Sequence, residues 1–133
     1  MTGITGGCLC GQVRFRASGA PIRGHLCHCR DCQRFTGSAF AAGMMFPGAA
    51  VSFDGERAVF AVTGRSGHDV LRHFCPRCGS GVAVTGAVLR DIVVLQAGTF
   101  DDSTQYRPTT EIFTESAMPW VHAPGGFPTV RGS

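Results

Sequence analysis

The sequence of 133 residues contains no lysine and no asparagine, and it has one tryptophan and one tyrosine. All twelve basic residues are arginine, which we attribute to coding bias in a GC-rich genome rather than to function. No apolar run approaches the roughly 18 residues that a membrane-spanning helix needs. Residues 1–7 lack the basic and apolar regions of a secretory signal peptide. We therefore expect a cytoplasmic protein without a membrane partner.

The sequence has a formal charge of +3, but its basic residues are not clustered. A positive charge by itself suggests a nucleic-acid partner, but the arginines are scattered along the chain and form no basic face. The seven cysteines change the charge further if they bind zinc, because metal-bound thiols are deprotonated. Seven thiolates remove seven units and two zinc ions return four, so the net charge falls to zero. We expect no nucleic-acid partner, which disfavours a zinc-ribbon-like nucleic-acid binder.

The sequence also lacks a convincing helical period, and its short apolar stretches alternate or are separated by glycine and proline. With 19 glycines, this pattern predicts an all-β fold. We expect a single domain over residues 1–133, with residues 119–133 forming an irregular C-terminal arm. The predicted strands are residues 12–17, 25–30, 38–46, 51–53, 59–63, 70–74, 82–85, 92–97 and 111–114.

The cysteines are the residues most informative about chemistry. An odd number argues against a complete disulfide framework, and in a reducing compartment clustered cysteines are more often metal ligands. A structural zinc site takes four protein ligands, whereas a catalytic zinc usually has three and keeps one position open. We therefore hypothesise a division into four ligands plus three. The three groups along the chain are Cys8 and Cys10, then Cys27, Cys29 and Cys32, then Cys75 and Cys78.

The segment from Cys75 to Gly79 is the most specific local motif. Its two thiols have two residues between them, with proline after the first cysteine and glycine after the second, and this arrangement forms a tight metal-binding knuckle. Gly79 can adopt a positive φ, which allows backbone N–H groups to point at the sulfurs. A thioredoxin-like redox pair would require a strand that runs into a helix, but another strand is predicted to follow. Iron–sulfur ligation is disfavoured because neither standard ferredoxin spacing is present.

The spacing leaves two questions open. Cys8 and Cys10 can reach one ion from the same side of an extended backbone, and their partners can be either the knuckle or two members of the 27–32 group. Cys27 and Cys29 share a strand face, and we expect a turn to bring back the third cysteine of that group. A fourth ligand, His25 or His73, would turn this group into an inert closed site.

Four segments resemble the glutathione-dependent formaldehyde-activating enzyme family, also called the centromere protein V domain family. They are residues 7–14, 27–34, 74–80 and 119–121, and they include all seven cysteines. The resemblance implies a β-tent (Mss4-like) fold with two zinc ions. It also implies that Cys8, Cys10, Cys75 and Cys78 hold a structural zinc, and that Cys27, Cys29 and Cys32 hold a catalytic one.

The resemblance further implies a carbon–sulfur lyase similar to S-(hydroxymethyl)glutathione synthase. In such an enzyme the open zinc position takes the thiol of glutathione, the co-substrate, and the thiolate adds to formaldehyde or another small aldehyde. Arg30 and Arg34 follow the ligands closely and are candidates to bind a glutathione carboxylate, the alternative being that both are simply exposed. His28 points away from the sulfurs, so we expect a structural histidine rather than a proton shuttle. The alternative function is a non-catalytic, zinc-stapled thiol carrier or interaction module.

Overall fold

The computed structural model describes residues 3–64, 67–121 and 129–130, and within these residues the predicted all-β class is confirmed. The described residues contain eleven strands. They are β1 (Ile4–Gly7), β2 (Arg14–Ala17), β3 (Arg23–Cys27), β4 (Ala41–Pro47), β5 (Val51–Asp54), β6 (Ala58–Thr63), β7 (Asp69–Phe74), β8 (Gly81–Gly86), β9 (Ile92–Gln96), β10 (Pro108–Ile112) and β11 (Thr129–Val130).

The strands form two sheets. β1, β2 and β5 make a small antiparallel sheet in the order β1-β2-β5. The remaining eight make a large sheet in the order β11-β10-β3-β4-β9-β8-β7-β6. Within it β10 runs parallel to β3, so a late segment of the chain lies directly beside an early one.

The core lies between the two sheets. From the small sheet it takes Ile4 and Phe15, and from the large sheet Met44, Phe46 and Leu95. Successive strand residues point to opposite sides of a sheet, so the intervening residues of β4 and β9 face away from this core. The large sheet therefore has a core face and a second face, and the second face carries the cavity described below.

One helix, α1 (Arg30–Thr36), was not predicted. The extended segment predicted over residues 25–30 ends earlier, because β3 stops at Cys27 and the helix begins at Arg30. A helix of seven residues is too short to show an apolar period over several turns, and it is marginal without tertiary contacts. The expected turn after Cys29 is thus the first turn of a helix.

The other predicted strands are present with shifted bounds. β2 begins two residues later than predicted, β4 begins at Ala41, and β10 occupies Pro108–Ile112 instead of residues 111–114. β1 was missed because two of its four residues are glycine, which is depleted in strands. Much of the predicted C-terminal arm, residues 122–128 and 131–133, lies outside the described residues. No helix within the described residues is long and apolar enough to cross a membrane.

Candidate metal centres and active site

The four-cysteine cluster consists of Cys8, Cys10, Cys75 and Cys78, whose sulfurs all lie within 4.8 Å of one another. The first two follow β1 and the last two follow β7, and Cys10 and Cys75 are 65 positions apart in the chain. The Sγ atoms of Cys8 and Cys10 are 3.6 Å apart, and those of Cys10 and Cys75 are 3.8 Å apart. A tetrahedral zinc with bonds of about 2.3 Å to sulfur needs S–S edges of about 3.8 Å. The donor set and its spacing therefore fit a closed four-thiolate zinc site.

Backbone N–H groups point at the sulfurs of this cluster. The N–H of Val13 donates to Cys8 Sγ at 3.2 Å, and the N–H of Arg77 donates to Cys75 Sγ at 3.3 Å. Gly79 has a φ of 80°, the left-handed conformation anticipated for the end of the knuckle. These hydrogen bonds stabilise sulfur in its negatively charged form, which is the form that binds a cation.

Ser80 joins the two halves of the four-cysteine cluster, a role that the sequence did not reveal. Its hydroxyl accepts a hydrogen bond from the Leu9 N–H at 3.0 Å and lies 3.2 Å from Cys78 Sγ. Hydrogen bonds from the Ser80 hydroxyl and backbone, helped by the Cys10 backbone, lower the pKa of Cys78 to about 5. The sequence does not predict this contact, because Leu9 and Ser80 are 71 positions apart in the chain.

The second group, which we call the cysteine triad, consists of Cys27, Cys29 and Cys32, and its sulfurs also lie within 4.8 Å of one another. Cys27 is the last residue of β3, and Cys29 caps α1 by accepting a hydrogen bond from the Cys32 N–H at 3.3 Å. Cysteine is an unusual helix cap, but its sulfur occupies the place that a serine or aspartate oxygen normally takes. The end of β3 and the first turn of α1 together bring the three sulfurs close to one another.

No fourth His, Cys, Asp or Glu within the described residues joins the triad at this distance. His73, one of the two proposed fourth ligands, instead bonds Thr85 Oγ1 through Nε2 at 2.8 Å, and its Nδ1 accepts from Arg57. His25 is buried near the triad but packs over Gly43, where a Cβ would lie 2.9 Å from its Nε2. Burial lowers the pKa of His25 to about 4, so the ring is neutral at pH 7. The triad therefore offers three protein ligands.

Arg72 is the functional candidate that the sequence analysis missed. It lies on β7, is only 7% exposed, and donates from Nη1 to Cys32 Sγ at 3.4 Å. Its guanidinium also stacks over the ring of Phe35 at 5.3 Å from the centroid. A buried arginine at the sulfurs supplies a fixed positive charge beside the triad. An arginine between the apolar residues of a predicted strand was the available signal, but only the fold shows that β7 passes α1.

Arg30 and Arg34, the two arginines named from the sequence, are both exposed, unlike the buried Arg72. Arg30 is exposed and donates to the side chain of Gln33. Arg34 is also exposed and lines a groove of about 420 Å³ with Phe35 and Phe60. This surface groove also includes Asp31 and Arg72, so it adjoins the triad.

His28 has the structural environment that was expected. Its ring is 1% exposed, packs 5.7 Å from the Phe40 ring and bonds Glu111 Oε1 through Nε2 at 2.8 Å. This contact links the segment after β3 to the neighbouring strand β10. The ring is not among the residues that line the cavity beside the triad.

The thiols of the triad differ in their pKa values. Hydrogen bonds from the thiols of Cys27 and Cys32 lower the pKa of Cys29 to about 2, and the Cys32 N–H and the charge of Arg72 act in the same direction. The same hydrogen bonding, together with burial, raises the pKa of Cys27. One thiolate is therefore stable at neutral pH, and binding of a cation releases protons from the other thiols.

A cavity of about 180 Å³ lies against the triad on the second face of the large sheet. Ala41, Val84 and Val94 form its buried floor, and Val70, Val88 and Leu89 are nearer to solvent. Its polar lining residues are few: Gln96 and His25 on the floor, and Asp31 and Arg72 beside the cysteines. Phe113, at a φ of 56° that bulky residues rarely adopt, completes the wall. The chemistry of the triad thus faces a mostly apolar space.

The two cysteine groups lie within the part of the chain that matches a known protein family. No curated protein matches the chain. Residues 3–116 match the sequence model of the family described as glutathione-dependent formaldehyde-activating enzyme. This match spans most of the 133 residues and includes both cysteine groups. The chain therefore belongs to the glutathione-dependent formaldehyde-activating enzyme family.

Proposed function

We propose that this protein is a zinc-dependent carbon–sulfur lyase that joins the thiol of glutathione, or of a similar small thiol, to formaldehyde or another small aldehyde. The observation that carries the proposal is the cysteine triad, whose three sulfurs converge beside a cavity without a fourth ligand from the described residues. Membership of the family supports the reaction class. The four-cysteine cluster would hold a second, structural zinc, which gives two ions per chain.

Zinc held by the triad would supply an open position at which a thiol loses its proton and becomes a nucleophile at neutral pH. The residues around the triad then determine how much negative charge the site tolerates. Arg72 donates to Cys32 Sγ from a buried position. Its positive charge would therefore offset the negative charge of a bound thiolate. The N–H of Cys32 stabilises Cys29 in the same way.

The peptide part of glutathione is best accommodated in the surface groove that contains Arg34. A guanidinium there suits a carboxylate, and Phe35 and Phe60 offer apolar contact. Arg30 is the weaker candidate because its guanidinium already donates to Gln33. Because Asp31 and Arg72 line both spaces, a thiol extending from the groove reaches the triad.

The reaction itself requires no oxidant or reductant. The thiolate sulfur forms a bond to the carbonyl carbon, the electron pair of the C=O π bond moves to oxygen, and that oxygen takes a proton equivalent to the one the thiol lost. The product is a hydroxymethyl thioether, or in general a hemithioacetal. The reverse reaction breaks the same carbon–sulfur bond.

Stopped-flow mixing of glutathione with formaldehyde, with and without the zinc-loaded protein at matched free zinc, tests the proposal. We expect the protein to accelerate the approach to equilibrium, and Cys29→Ala to abolish the acceleration while the four-cysteine cluster keeps its metal. Unchanged progress curves together with bound glutathione would instead identify a non-catalytic thiol carrier. The expected partners are therefore a small thiol and a small aldehyde, with no nucleic acid or membrane, in the reducing environment of the cytoplasm.

A further inference from the structure

The cavity beside the triad is larger than formaldehyde requires. Formaldehyde has two non-hydrogen atoms, and a water molecule takes about 30 Å³ in the liquid. An engineered apolar cavity of about 150 Å³ in another protein is large enough to bind benzene. At about 180 Å³, this cavity has room for a hydrocarbon group of about six carbons.

The lining of the cavity also indicates what it does not bind. Glutathione has two carboxylates and an amino group, and burying such charges without partners is costly. The charged residues on the described lining are Asp31 and Arg72, and both lie at the end with the cysteines. The floor beyond them is formed mainly by Ala41, Val84 and Val94. The charged peptide therefore belongs in the groove with Arg34, and the apolar space remains for the other reactant.

We propose that this cavity binds the hydrocarbon part of the aldehyde, so that the preferred substrate is an apolar aldehyde of about six carbons instead of formaldehyde. The inference rests on the proposed function for the reaction class, and it adds the substrate class. With hexanal, the aldehyde carbon lies at the triad and the alkyl chain occupies the space between the floor and Val88. Sulfur bonds to that carbon, the carbonyl oxygen receives the proton, and a hemithioacetal forms.

Val88 offers a way to close the cavity without disturbing the core. It lines the cavity but is 56% exposed, so a larger side chain can be accommodated there without overpacking the interior. Val59 on the edge strand β6 is a matched control, because it is 49% exposed and does not line this cavity. The two variants are Val88→Trp and Val59→Trp.

The first measurement detects binding without catalysis. Hexan-1-ol cannot add a thiol, and saturation-transfer NMR reports its binding to the zinc-loaded protein. We expect hexan-1-ol to bind the wild type and Val59→Trp equally, and to bind Val88→Trp at least about tenfold more weakly. Absence of binding to the wild type, or equal binding to all three proteins, overturns the proposal.

The second measurement compares kcat/KM for hexanal and formaldehyde with glutathione. We expect the wild type to prefer hexanal, and Val88→Trp to lower the value for hexanal at least about tenfold while changing that for formaldehyde less than about twofold. An equal loss for both aldehydes, or a preference of the wild type for formaldehyde, contradicts the inference. If neither aldehyde is turned over, the proposed function fails, and the binding of hexan-1-ol still decides whether the cavity takes a hydrocarbon group.

Discussion

At the scale of single residues, Arg72 shows how one buried charge sets the properties of the triad. Its hydrogen bond to Cys32 Sγ is made by a charged donor, and such bonds contribute about 1.5–3 kcal/mol. The contact also holds β7 against α1, since the same guanidinium stacks on Phe35. Loss of this arginine should therefore change the electrostatics of the sulfurs and also weaken the packing of β7 against α1.

We predict that Arg72→Gln weakens zinc binding at the triad by about 10- to 100-fold, the range typical for loss of a residue that bonds a metal ligand. Competition with a chromogenic chelator measures the affinity of both metal positions in one titration. Arg77→Gln is the control, because Arg77 is exposed beside the other cluster. The prediction is wrong if the two variants bind zinc at the triad with equal affinity.

The residues that sequence alone identifies are those whose chemistry shows in local spacing. The knuckle from Cys75 to Gly79 and the dense run from Cys27 to Cys32 are of this kind. Arg72 and Ser80 are not, because each acts on a residue that is distant in the chain: Arg72 bonds a sulfur 40 positions away, and Ser80 bonds an N–H 71 positions away. Such contacts depend on which elements become neighbours, and local spacing does not specify that.

At the scale of secondary-structure elements, the short helix α1 depends on contacts outside itself. Gln33 is buried and donates from Nε2 to the His28 carbonyl at 2.7 Å and to the Ser116 carbonyl at 3.1 Å. It also accepts a hydrogen bond from Arg30. One side chain thus joins the helix, the end of β3 and the segment after β10.

We expect Gln33→Met to lower the free energy of unfolding by about 2–3 kcal/mol, because buried carbonyl oxygens lose their donor. Gln12→Met, at an exposed position, is the matched control and should change it by less than about 0.5 kcal/mol. Urea unfolding of the zinc-loaded proteins at pH 7.5 measures both. Similar midpoints for the two variants would show that Gln33 does not hold the helix.

Most strands were predictable because their apolar residues alternate or occur in short runs between glycines. The helix was not, since its buried contact comes from a polar glutamine and its cap is a cysteine. A helix determined by such tertiary contacts has little signature in a single sequence. The same applies to β1, whose glycines pack against β2 and the Phe15 ring.

At the scale of the whole molecule, the two cysteine groups have different relations to the core. Cys8 and Cys75 belong to the buried cluster between the sheets, and Cys75 is fully buried. The triad lies beside the cavity on the second face of the large sheet. A change at one group should therefore have structural consequences that a change at the other does not.

We predict that Cys27→Ala stays folded and retains about one zinc per chain, whereas Cys75→Ala loses the folded state along with both ions. Elemental analysis after gel filtration gives the metal content, and circular dichroism gives the fold. The expected wild-type value is about two zinc ions per chain. Unfolding of Cys27→Ala with survival of Cys75→Ala would mean that the roles of the two groups are reversed.

The pairing of β3 with β10 has a consequence for the order of events during synthesis. All sulfurs of the four-cysteine cluster are present once residue 78 has left the ribosome. Glu111 and Ser116, which bond His28 and Gln33 next to the triad cysteines in the chain, emerge more than 30 residues later. The first cluster can therefore bind a metal ion while the chain is still growing, whereas the last two residues that line the cavity, Ile112 and Phe113, are added later. A polypeptide interrupted near residue 100 would contain all four residues of the four-cysteine cluster but would lack Ile112 and Phe113 of the cavity lining.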